Sequence, residues 1–234
     1  MKTLGLLGGM TWHSTATYYT RINQRVAATL GPKRSASIVM HSIDYDWIIQ
    51  AQRTHDWKRF ATHLRKAATG LQRSGAQGLV VCSNTIHRLV PSIRSQISIP
   101  VLHIVDALIA KLQADRITCV ALFGTAFTMT ERFYIERLTS QGIRVIVPEL
   151  DEIVVIDRIV LGELSAGRIE ASSRQVFAAC MARLEQRGAQ AMVLGCTEIG
   201  LLIGPGDVDV PVYDTALIHA DAAADWAMKT SEPE

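Results

Sequence analysis

The chain is poor in the residues that mark several function classes. It has four cysteines in 234 residues, and none forms a Cys-x-x-Cys pair. Neither a zinc ribbon nor a disulfide scaffold is favoured by that spacing. Cys82, Cys119, Cys180 and Cys196 are therefore read as thiols, and buried cysteines commonly serve only as small hydrophobes. Charge of one sign is also scarce: the formal net charge is +2, which gives no electrostatic case for nucleic acid. No apolar run approaches the roughly 18 residues of a membrane span. The seven histidines contain no His-Glu-x-x-His pair, so the pattern supports no metal site. The start, "MKTLGLLGGMTWHST", has one lysine and a short apolar run broken by glycines. It lacks a small-residue cleavage pattern, so a first β-strand is expected there, not a signal peptide, and a cytoplasmic location follows.

What is present is ordinary soluble composition, 48% apolar and 20% charged, in a length that fits one large or two small domains. Short β-rich apolar runs alternate with longer amphipathic stretches. Strands are expected near 3–8, 36–42, 78–83, 100–104, 118–123, 143–147, 190–195 and 210–213. Helices are expected between most of them, for instance at 12–30, 56–74, 127–141, 169–187 and 215–228. Alternation of this kind predicts βαβ units and parallel sheets. "GLVVC" and "AMVLG" are apolar on both faces, as buried parallel strands are.

The chain also repeats itself. "GLQRSGAQGLVVCSNTIHRL" (70–89) returns as "EQRGAQAMVLGCTEIG" (185–200). Aligning the two Gly-Ala-Gln triplets sets Ser83 on Cys196, Asn84 on Thr197 and Thr85 on Glu198. "GLLGGM" (5–10) resembles "ALFGTA" (121–126), and "ISIPVLHIVDALI" (97–109) resembles "VDVPVYDTALIHA" (208–220). Two similar α/β halves are implied, with boundaries expected at 1–99 plus 209–234 and 100–208.

Each motif has a chemical reading and a plainer one. In "GCTEIG" the Cys196 thiol ends a parallel strand just before a helix, where ligands bind in open α/β sheets. The alternative is a structural cysteine. In "CSNTIH" the alternation of strand side chains gives Ser83 the direction of Cys196, and gives Cys82 that of Gly195. Ser83, Asn84 and Thr85 could donate to a carboxylate, or could simply cap a turn. "GLLGGMTWHST" lacks Gly-x-Gly-x-x-Gly and the Walker pattern, leaving a small-anion turn or a tight β–α turn. His87 and His219 could line a cleft or pack in a core. If positions 83 and 196 flanked one cleft between the halves, two groups could exchange protons with opposite faces of a planar carbanion. That is racemisation by general acid–base catalysis.

Taken together, "MKTLGLLGGMTWHST", "HSIDY", "CSNTIH", "LFGTAFTM", "GCTEIG" and "PVYDTALIHA" resemble the cofactor-independent aspartate/glutamate racemase family, in order and over nearly the whole chain. The similarity is greatest to the bacterial L-aspartate/glutamate-specific racemases. The resemblance implies an α/β fold of two pseudo-symmetric Rossmann-like domains, each with a mainly parallel sheet flanked by helices. It implies no cofactor, no metal, no nucleic-acid or membrane partner, an amino-acid substrate and a homodimer. By position it makes Cys196 the second-half catalytic thiol. It places Ser83 where most members carry the first-half catalytic cysteine, and where the L-specific subgroup carries a threonine. Met10, Gln52, Asn84, Thr85, Thr197 and Glu198 match substrate-site positions, Thr125 is a carboxylate contact, and Arg53 is a partner for the side-chain carboxylate. Two departures stand out: His13 replaces the family's common glutamate, and Ser83 is a far weaker base than a thiol. Rival implications are a single-thiol enzyme like the arylmalonate decarboxylases and an impaired dicarboxylate- or amino-acid-binding protein. Hydantoin racemases and maleate isomerases share the architecture but fit the motifs less well.

Overall fold

The computed structural model describes residues 1–54 and 56–229, apart from the Gln52 side chain. The chain divides into two compact units. One comprises Met1–Ile104 and the segment from His219; the other is Val105–Ile218.

The first unit is built on strands β1 (Leu4–Gly8), β2 (Ile38–Ser42), β3 (Gly78–Val81) and β4 (Val101–Leu102). They form an all-parallel sheet in the order β2-β1-β3-β4. The central strands β1 and β3 are buried along their whole length, while the edge strand β2 is open to solvent. This matches their composition, since strands covered on both faces need apolar residues at every position. Helices α1 (Trp12–Leu30), α2 (Asp46–Thr54), α3 (Trp57–Arg73) and α4 (Val90–Arg94) supply the connections. Thr11 caps α1 through the Ser14 amide, and Asp56 caps α3 through the Arg59 amide. Phe60 and Leu64 of α3 pack on Leu7, Leu79 and Val81. Full burial of each such side chain contributes on the order of 1.5–3 kcal/mol.

The second unit repeats the plan. Helix α5 (Ile104–Ala114) leads to β5 (Cys119–Phe123), α6 (Ala126–Thr130), α7 (Arg132–Thr139), β6 (Arg144–Ile146) and α8 (Leu150–Gly162). These are followed by α9 (Ala171–Gln186), β7 (Met192–Leu194), α10 (Ile199–Leu202) and β8 (Val212–Asp214); α11 (Thr215–Met228) starts in this unit and from His219 belongs to the first. The sheet order is β6-β5-β7-β8, again all parallel. Phe123, Ile156, Phe177 and Met192 lie in its core.

Strand register reproduces the sequence repeat residue for residue. Gly5 lies opposite Leu79, and Ala121 opposite Met192. Leu79 lies opposite Val101, and Met192 opposite Val212. The Gly-Ala-Gln triplets are explained by structure alone. Gly75 and Gly188 both adopt φ +94°, the left-handed conformation that ends α3 and α9 at low steric cost. Ala76 and Ala189 are buried beneath those turns. The Gln77 side-chain carbonyl then accepts from the Thr3 amide at 2.9 Å. That of Gln190 accepts from the Thr118 and Cys119 amides at 2.8 and 3.1 Å. Each glutamine therefore fixes the entry of the strand beside its own.

Three differences from the sequence reading have local causes. The boundaries fall after Ile104 and Ile218, not at 99/100 and 208/209, because β4 extends the sheet of the first unit and β8 that of the second. The single helix expected over 127–141 is two, since Glu131 between them is extended at φ −79° and ψ 137°. Helix α8 occupies an apolar stretch rich in β-branched residues, and a Glu149/Glu152 capping box starts it.

Replacing Gln190 by alanine removes the acceptor for two strand-entry amides. The variant is expected to lose about 1 kcal/mol of unfolding free energy in urea titration, with most of it restored in Gln190→Glu at neutral pH.

Candidate active site

In each sheet the two central strands end side by side, and the sequence motifs occupy the loops that follow. In the first unit the Cys82 amide donates to Leu7 O at 2.9 Å, so the loop after β3 starts level with the end of β1. Gly9, at φ +88°, is required here: a Cβ would sit 1.9 Å from Ile43 O. Its amide donates to Thr15 Oγ1 at 2.7 Å, and the Thr15 hydroxyl donates to Thr11 O at 3.0 Å. The glycine loop is thus a tight β–α turn that satisfies this amide internally. Met10 lies beside it, 6% exposed.

After β3 the alternation expected from the repeat is seen. Cys82 is fully buried, and its thiol is pushed far above the ordinary range by that burial. Ser83 is half-buried, and Asn84 is 5% exposed. Thr85 opens a 3-10 helix, Thr85–Leu89, for which Asn84 holds the N-cap position without capping it through its side chain. His87 and His219 are both buried, so the core reading applies to each of them. Arg53 is solvent-exposed in the last turn of α2, His13 is exposed near the start of α1, and the Gln52 side chain lies outside those described.

In the second unit the Gly195 amide donates to Phe123 O at 2.6 Å. A Cβ at Gly195 would come within 2.9 Å of both Phe123 O and Thr128 Cγ2. That crowding explains why a cysteine cannot occupy the position equivalent to Cys82 in this half. The thiol appears one residue later, where Cys196 is half-buried. The Cys196 thiol donates to Glu198 Oε2 at 3.0 Å, and the Thr197 hydroxyl donates to the same oxygen at 2.6 Å. Glu198 is 7% exposed and does not cap α10. Burial, then the adjacent Glu198 carboxylate, and further off Asp214, push the Cys196 thiol well above its usual pKa. A carboxylate beside a thiol disfavours the thiolate by like-charge repulsion. Thr125 holds the N-cap position of α6, also without a side-chain cap. The next amide, Ala126, donates to Asp157 Oδ1 of α8 at 2.7 Å.

The structure therefore brings Cys196, Thr197 and Glu198 into one cluster in the second unit. It places Ser83, Asn84 and Thr85 on one loop in the first. Two participants escaped the sequence reading. Asp214 accepts from the Ala216 and Leu217 amides at the start of α11 while its charge bears on Cys196. Its only sequence signal was an aspartate before a helix. Asp157 holds the start of α6 from 31 residues away, and periodicity cannot show such a contact. Among the described residues, no group of three or more His, Cys, Asp or Glu is arranged to hold a metal ion, and no helix is long and apolar enough to cross a membrane.

Known proteins share this arrangement. The profile of the Asp/Glu/hydantoin racemases matches residues 7–223. A Yersinia pestis protein provisionally assigned as an Asp/Glu racemase is 43% identical, with a TM-score of 0.92 over 98% of this chain and 100% of that one. The chain belongs to the Asp/Glu/hydantoin racemase family. An aspartate racemase homologue from Pyrococcus horikoshii OT3 is 30% identical, with a TM-score of 0.86 over 98% of this chain and all of that one. The aspartate racemase of Picrophilus torridus, at 18% identity, shares the fold with a TM-score of 0.77 over 97% and 94% of the two chains. As a member of this family, the protein is an isomerase of the racemase type. The two-sheet architecture expected from its sequence is that of its relatives.

In this racemase Glu198 should govern the ionisation of Cys196. Glu198→Gln removes a negative charge, so the thiolate becomes easier to form. The pH midpoint for Cys196 alkylation by iodoacetamide is expected to move down, and an upward or absent shift would contradict the electrostatic account.

Proposed function

We propose that this racemase interconverts the enantiomers of an acidic amino acid, aspartate or glutamate, with L as the preferred starting form and without a cofactor. Cys196 takes the α-proton of the L enantiomer: the Cα–H bond breaks, an S–H bond forms, and the electron pair enters the carboxylate-stabilised enolate. The Ser83 side supplies a proton to the opposite face through its hydroxyl, which water replenishes. One observation carries this proposal: the only half-buried thiol of the four, Cys196, shares Glu198 Oε2 with the Thr197 hydroxyl.

Electrostatics gives the step an order. Without substrate, burial first and then the Glu198 carboxylate disfavour the thiolate. An α-ammonium placed beside Glu198 offsets that charge, so when an amino acid is present the thiol can release its proton to water and meet the α-proton as thiolate. Asn84, Thr85 and Thr125 donate toward the carboxylates of the substrate, and stabilisation of the developing charge is where such donors matter most. Met10 and Gln52 border the substrate, and Arg53 pairs with its side-chain carboxylate. The family resemblance supports these assignments, together with a homodimer.

An alkoxide is hard to form near neutral pH, whereas a free thiol titrates near 8.5. The two directions should therefore differ in turnover. Because the equilibrium ratio of enantiomers is fixed near unity, a slow reverse turnover has to be matched by a lower KM for the D form.

Chiral chromatography after incubation with L- and D-Asp, L- and D-Glu and neutral amino acids tests this. Cys196→Ser is expected to lower the L-to-D rate by at least about a hundredfold. Ser83→Cys is expected to bring the turnover numbers of the two directions closer together. Full activity in Cys196→Ser, or turnover of neutral amino acids alone, would overturn the proposal.

A further inference from the structure

The loop carrying Ser83 is gripped from below by a histidine that the racemase chemistry does not require as a proton carrier. His87 is 1% exposed. Its Nδ1 lies 2.7 Å from Ser83 O. Its Nε2 lies 3.1 Å from the Ile104 amide nitrogen. The backbone amide can only donate, so Nε2 must be the bare nitrogen. The proton then resides on Nδ1 and is donated to the Ser83 carbonyl. The ring is neutral, and one tautomer is selected by two backbone groups.

A second buried histidine works on the same stretch of backbone. His219 Nε2 lies 2.8 Å from Leu102 O, to which only a protonated nitrogen can donate. Its Nδ1 lies 2.8 Å from the Tyr18 hydroxyl. Leu102 and Ile104, on either side of His103, are thus held by His219 and His87 respectively. The His103 and His219 rings pack edge-on against His87 at centroid distances of 4.6 and 5.6 Å. The His87 ring therefore has little room to turn, and its direction is passed to the carbonyl of Ser83. From the 3-10 helix Thr85–Leu89 this contact reaches back four residues to Ser83, so it fixes the loop at the residue that bears the hydroxyl.

We propose that His87 is a positioning residue for Ser83: its Nδ1–H holds the Ser83 carbonyl, and so sets where the hydroxyl stands for the half-reaction that starts from the D enantiomer. This rests on the assignment of Cys196 and Ser83 to opposite faces. The effect is directional. Cys196 lies in the other unit and is not part of this hydrogen-bond set, so exchange begun from the L enantiomer should be spared. A ring that merely filled the core would give no such asymmetry.

The test follows α-deuterium washed into the recovered starting enantiomer in heavy water, for L and D separately, so that each half-reaction is read by itself. His87→Asn keeps a donor near the place of Nδ1; His87→Gln keeps an acceptor near the place of Nε2 and loses the donor to Ser83. His87→Gln is expected to slow exchange from the D enantiomer by about tenfold to a hundredfold, the scale of an ångström-sized misplacement, mainly in kcat. Exchange from the L enantiomer should stay within about twofold, and His87→Asn should recover most of the loss. Equal loss from both enantiomers, no loss, or equal behaviour of the two variants would overturn the inference. Nitrogen-15 spectra of the wild-type histidines give a check that does not depend on a variant folding: His87 should be neutral with its proton on Nδ1, and a ring protonated on Nε2 would overturn it. Cys196→Ser serves as the reference. If it still exchanges the α-proton of the L enantiomer, the underlying site assignment fails, and His87 is not what has been disproved.

Discussion

The order of buried and half-buried residues just past β3 and β7 is the constraint on which the proposed chemistry depends. Successive side chains of a strand point to opposite sides; β3 and β7 are buried on both, and burial begins to differ from one residue to the next only just past their ends. Just past β3 Cys82 is buried and Ser83 half-buried; just past β7 Gly195 is buried and Cys196 half-buried. The register is held by the paired strands and by Gln77 and Gln190, which tie the entry of each neighbouring strand. A repeated triplet that looks like part of a site is therefore structural. Its contribution to function is to keep two loops, one in each unit, at the same stage of the strand alternation.

The two halves then diverge in what they place there. The second offers a thiol whose ionisation is opposed by burial and by Glu198. The first offers a hydroxyl on a residue whose carbonyl is held by His87, and His87 and His219 hold backbone groups on either side of His103. The two halves thus share strand-entry hydrogen bonds and differ in the chemical groups they carry. Strand entries and chain turns tolerate little variation, because an unpaired buried amide costs about 1–3 kcal/mol. The loop residues carry no such burden.

Much of this was legible in the sequence because the evidence for it is local or periodic. The eight strands announce themselves as short apolar runs, and the alignment of the copies makes the pairing of Leu79 with Val101 correspond to that of Met192 with Val212. The exposure of Ser83 relative to Cys82 follows from alternation once the copies are aligned. What was hidden depends on remote or cryptic partners. The break at Glu131 contains neither glycine nor proline. Asp157 reaches Ala126 across the fold, and Asp214 acts on Cys196 while looking like an ordinary cap. The true boundaries, after Ile104 and Ile218, follow from which sheet each short edge strand joins. The chemistry of two facing groups was argued from residue types, whereas membership of the racemase family came from the order of six motifs together.

The central claim is that the loop after β7 leaves one thiol, Cys196, half-buried, while Cys82 after β3, Cys119 in β5 and Cys180 in α9 lie in the core. Peptide-mapped labelling of the native, unmodified enzyme by a small alkylating reagent tests it directly. Cys196 should react first, with loss of activity in step, while Cys82, Cys119 and Cys180 stay protected until the protein unfolds. Labelling of Cys82 at a rate comparable to that of Cys196 would contradict the account.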